Sequence, residues 1–135
     1  MTENLRLLRN TLARDQLPFR ASFNMMYWKV DRHDDCGTIC CIGGMVDLLR
    51  GETNYSSFAT MAHVGEVADW LGIDPDVAWL LFHPATSGDR YDLEDYIPYN
   101  TITKEQALET VDIVMRGGGT AELYAYWETQ IEGMR

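Results

Sequence analysis

All three cysteines of the chain stand close together, Cys36, Cys40 and Cys41, in the stretch DDCGTICCIGG at 34–44, with His33 directly before it. A thiol at the start of a helix is acidified by the helix dipole and becomes a nucleophile once a base is supplied. Cys36 holds that place if a helix begins at Asp34 or Asp35, with His63 or His83 as the base. The two aspartates act in the opposite sense, because adjacent negative charge favours the protonated thiol. A thiol hydrolase or transferase centred on Cys36 is therefore the enzymatic alternative. The same stretch could hold zinc through His33, Cys36 and Cys40 or Cys41, completed by His63 or His83. Zinc sites usually show two close ligand pairs, however, and a second pair is missing from the sequence. A third role needs no chemistry: cysteine also serves as a small apolar residue at tight helix contacts. With Gly43 and Gly44, that role accounts for the whole stretch. Glycine inside a helix costs roughly 1 kcal/mol relative to alanine, so two in succession predict that another backbone crosses very close. On this reading no catalytic residue, cofactor or metal is expected.

Other constellations are less specific. An odd number of cysteines leaves one unpaired in a monomer, and neither the vicinal pair nor a one-turn helical spacing suits a disulfide. Asp34/Asp35 and Asp92/Glu94/Asp95 are neighbouring acids in a chain rich in them, so proximity alone implies no acid–base pair. The glycine run at 117–119 has neither the preceding strand nor the lysine of a phosphate-binding loop. Residues 64–83 have the outline of a helix-turn-helix, but no arginine or lysine occurs from 51 to 89. Phosphate and base contacts depend on those side chains, and the pair reads as packed helices with a tight turn.

The elements that must position these residues are mostly helical in period. Leu5, Leu8 and Leu12 form the apolar stripe of a first helix that ends before Pro18. FNMMYWKV at 23–30 reads as extended structure packed on the core, with one short strand pair at most. A helix from Asp34 or Asp35 to Arg50, stopped by Gly51, is apolar on both sides and would be the central one. A third helix, capped by Ser56 or Ser57, would bury Phe58, Met61, Ala62, Gly65, Ala68 and Leu71. Asp74 and Pro75 open a fourth that Pro84 closes. Thr103 and Gln106 form the capping box of a fifth, with Ala107, Leu108, Val111 and Val114 inward, and Thr120 caps a last helix carrying Leu123, Tyr124, Trp127 and Ile131. The tryptophans anchor the core, with Trp70 and Trp79 able to border an exposed patch. The fold class is a mainly α single domain over 1–135, with five or six helices around a central apolar one.

The composition is that of an ordered globular protein, 46% hydrophobic and 24% charged over 135 residues. A net charge of −10, from 21 acidic and 11 basic side chains, repels nucleic-acid backbones and anionic membranes. The N-terminus lacks the apolar run of a signal peptide, which suggests the cytoplasm and reduced thiols. CGTICCIGG after FNMMYWKV resembles a group of small uncharacterised proteins of bacteria and their phages. The likeness is carried by a C-G-T core, here Cys36, Gly37 and Thr38, with Cys40 and Gly43 following it. Leu71, Gly72, Leu81, Phe82 and Pro84 match a downstream L-G then L-F-x-P block, and Thr103, Glu105, Gln106 and Ala107 a helix start. The likeness runs from about residue 23 to 127. It implies a small helical fold and a bacterial or phage setting, and no activity. The expectation is a non-enzymatic, acidic binding or accessory protein whose partner is a protein with a basic surface.

Overall fold

The computed structural model describes residues 3–32, 37–52, 56, 58–88 and 92–134. Among them α1 spans Glu3–Leu12, followed by strands β1 Ala21–Phe23, β2 Lys29–Arg32 and β3 Gly37–Cys40. Helices α2 Ile42–Arg50, α3 Met61–Leu71, α4 Pro75–Phe82, α5 Leu93–Tyr96, α6 Lys104–Met115 and α7 Thr120–Glu132 complete the fold. The chain is mainly helical with one small sheet, and no described helix is long and apolar enough to cross a membrane.

The helix expected to begin at Asp34 or Asp35 begins later. Residues 37–40 are a strand, the middle one of three, parallel to β1 and antiparallel to β2. Ile39 lies opposite Ser22 on one side and Val30 on the other. A central strand and a buried helix segment are alike in being apolar throughout, so period alone does not separate them. The β-branched pair Thr38–Ile39 and pairing on both edges decide for the strand. Asp34 and Asp35 lie outside the described residues. The short strand pair expected near 23–30 is thus two edge strands flanking β3.

Helix α2 starts after Cys41, whose extended backbone occupies the cap position. It ends at Gly51, left-handed at φ 79°, whose N–H reaches the Asp47 and Leu48 carbonyls. Gly43 and Gly44 fall in its first turn, and the element crossing them is the segment around Trp28. A Cβ on Gly43 would overlap the Trp28 ring, and one on Gly44 would overlap the Trp28 carbonyl. The indole then packs edge-on against Phe82 of α4 and His63 of α3, with ring centroids 5.4 and 5.7 Å apart. Trp28 therefore joins the strand region to three helices.

In α3 the buried face is Val64, Val67, Ala68 and Leu71. The expected stripe is displaced from it: Ala68 and Leu71 are inside, but Phe58 and Met61 are 72% and 77% exposed. Apolar residues surround this helix, and period alone chooses among such faces poorly. Its cap is Thr60, whose hydroxyl accepts from the His63 N–H at 3.1 Å, rather than Ser56 or Ser57. Ser56 instead exchanges two backbone hydrogen bonds of 2.9 Å with Lys29, and Ser57 is not among the described residues.

The remaining helices follow local chemistry. Asp74 accepts from the Asp76 N–H at 2.8 Å with Pro75 in the first turn of α4. Thr103 and Gln106 make the reciprocal capping box of α6, which buries Ala107, Thr110, Val111 and Val114 while Leu108 is half-buried. The cap of α7 is Gly119, one residue before the expected Thr120, with Glu122 accepting from its N–H at 3.1 Å. Leu5, Leu8 and Leu12 of α1 and Leu123, Trp127 and Ile131 of α7 lie in one buried cluster with Trp28, Met45 and Val67.

Candidate functional site

Asp47 sits in the middle of apolar α2, its side chain only 2% exposed. A carboxylate is kept there by donors on both oxygens. The Trp28 Nε1–H donates to Oδ2 at 2.7 Å, and Arg50, one turn on, donates to Oδ1 at 3.0 Å. His63 Nε2 also lies 2.7 Å from Oδ2. Since a carboxylate only accepts, that nitrogen carries the proton. His63 Nδ1 lies 3.3 Å from a Glu66 carboxylate oxygen, so the ring sits between the two acids. Sequence positions 28, 47, 50, 63 and 66 thereby meet in one network that joins the segment before β2 to α2 and α3.

The network floors a cleft of about 330 Å³ whose walls include Glu52 and Phe58. The first turn of α3 is a ridge, with Thr60 facing this cleft and Met61 facing a second one of about 450 Å³. The second lies between α3, α4 and α7 and is lined by Gly65, Asp76, Trp79, His83 and Tyr124 among others. Trp79 is 39% exposed and stacks on His83, ring centroids 4.2 Å apart. His83 Nδ1–H donates to the Trp79 carbonyl at 3.2 Å, while burial lowers the ring's pKa from the ordinary histidine value.

The candidate thiols take a different place. Cys40 and Cys41 are free and buried. Burial pushes the Cys40 thiol well up, and pushes Cys41 up to about 11 against the partial help of backbone N–H groups in α2. Across the sheet from Cys40 is Lys29, wholly buried, whose ammonium donates to the Glu52 carbonyl at 2.6 Å. Burial lowers the Lys29 pKa, with Asp47 and Glu52 opposing. Native protein treated with iodoacetamide near pH ~8 should leave Cys40 and Cys41 unmodified, and both should react once urea unfolds the chain. Peptide mass spectrometry reads the outcome; native labelling of either thiol would contradict their burial.

Of the residues singled out by type, His33 and Cys36 lie outside the described residues. His63 and His83 line different clefts, and Cys40 and Cys41 line neither. Among the described residues no three histidine, cysteine or acidic side chains group as metal ligands. Asp47, Trp28, Arg50 and Glu66 were not legible as a set. The available signal was a lone acid inside IGGMVDLLR, which in a buried helix demands partners. Comparison with protein-family models, curated proteins and solved structures finds no match to this chain.

Proposed function

We propose that this chain is a non-enzymatic binding protein that acts through contact with another protein. One observation carries the reading: Phe58, ahead of α3, Met61 of α3 and Trp79 of α4 are exposed around two clefts. Exposed aromatic and methionine side chains on a rigid frame are the usual anchors of protein interfaces. Two of the described groups capable of chemistry are engaged in the fold, Asp47 by three donors and His63 between two acids. In this reading the chain is an acidic cytoplasmic accessory factor of a phage or mobile element. It occupies a basic, nucleic-acid-binding surface on a host protein and does not itself bind nucleic acid.

The test is affinity capture from host lysate at low and moderate salt, with wild type beside Phe58→Ser combined with Met61→Ser. Both side chains are exposed, so the double variant keeps the fold. A protein retained by wild type and lost from the variant is the expected result. Equal recovery on both, or no retained protein in either salt, overturns the reading.

A further inference from the structure

Gly65 lies in the middle of α3, where glycine weakens a helix relative to alanine. At Gly43 and Gly44 the fold itself explains the missing side chain, because Trp28 fills the space. At Gly65 it does not: a Cβ there would meet nothing within 4 Å. Gly65 lies in the lining of the 450 Å³ groove, with Met61 and Trp79 exposed beside it. A bare stretch of helix in an open groove suits close approach from outside the chain.

The charge around the groove selects the visitor. Asp76 lines it, Asp74 caps the same helix, no lysine or arginine is among its lining residues, and none occurs from 51 to 89. A second copy of the chain would bring like charges together at a net −10 each. A groove that presents Met61, Trp79 and Leu80 beside an aspartate, with no lysine or arginine in its lining, fits a helix with apolar residues on one face and cations at its margins. We infer that the groove between α3, α4 and α7 receives a basic amphipathic helix of the partner protein, lying over Gly65 with its apolar side chains against Met61 and Trp79. The inference rests on the binding reading above and names its partner. It agrees with a partner whose nucleic-acid-binding surface is basic, since such surfaces are often a helix carrying lysine and arginine.

The test uses calorimetric titration with a synthetic helix of leucine and lysine about five turns long, and a counterpart with glutamate for each lysine. The full-length chain should bind the lysine peptide, more weakly as salt rises, and should not bind the glutamate peptide. Gly65→Leu should weaken lysine-peptide binding at least about tenfold with an unchanged circular dichroism spectrum, because its side chain occupies the seat. Gly65→Ala should raise Tm by about 4 °C through helix propensity while weakening the peptide. Equal binding of the two peptides, undiminished binding by Gly65→Leu, or wild-type self-association abolished by Gly65→Leu overturns the inference. If capture is lost with Phe58→Ser and Met61→Ser while Gly65→Leu retains both partner and peptide, the helix fails and the binding reading stands. If capture survives all of these variants, the binding reading fails too.

Discussion

Gly44→Ala is expected to destabilise the protein by about 3 kcal/mol, the upper part of the usual range for overpacking a closed site. The new Cβ would fall on the Trp28 carbonyl oxygen and close to the Cys40 Cβ. A backbone carbonyl cannot rotate aside as a side chain can. The same segment is pinned by the N–H of Cys41 donating to that carbonyl at 3.3 Å and by the pairing of Lys29 with Cys40. Relief therefore requires β2 and α2 to separate, which also disturbs the indole beneath Gly43. Gly43→Ala meets atoms of the Trp28 ring, itself held by Asp47, Phe82 and His63, so it too should cost stability. Urea denaturation measures both, as a lower midpoint with an unchanged slope. A Gly44→Ala protein as stable as wild type would mean that Trp28 does not cross α2 there.

The second large effect belongs to Asp47→Ala, expected to cost roughly 3 kcal/mol. The substitution leaves the Trp28 indole N–H buried without its acceptor and separates Arg50 and His63 from their shared anion. The estimate sits at the low end for a broken buried pair because the Arg50 and His63 side chains, 21% and 23% exposed, can turn towards water. Asp47→Asn keeps an acceptor for the indole and loses the charge, so its cost should be about half. A double-mutant cycle with His63→Ala apportions the network: the histidine change should cost much less once Asp47 is gone. If Asp47→Ala leaves stability unchanged but abolishes an activity or a contact, the network around Asp47 belongs to function rather than to the fold.

What could be read from the residues alone was chemistry confined to a few neighbours. Leu5, Leu8 and Leu12 announce α1, and the caps at Asp74 and Thr103–Gln106 lie where their own side chains place them. The doublet Gly43–Gly44 announced a close crossing without naming Trp28, because the reason lies fifteen residues earlier in a different element. Strand β3 was hidden for a related cause: its identity depends on partners at 21–23 and 29–32, while locally it resembles the helix that follows. In α3 two apolar faces compete, and only the packing of Val64 and Val67 against the core leaves Met61 outside. That misplacement matters most, since the side chains expected in the core are the ones that mark the surface proposed for binding. The cysteines show the reverse case. Cys40 and Cys41 are buried and away from both clefts, but in β3 and at the cap of α2 rather than inside the helix expected for them.

In the proposed reading, binding depends on the exposed apolar surface and not on a reactive thiol. Capture of the partner by Cys36→Ser, set beside capture by the Phe58→Ser and Met61→Ser protein, tests it most directly. Cys36→Ser should retain the partner in full, and the surface variant should lose it. Loss of capture with Cys36→Ser, and full capture by the surface variant, would contradict it.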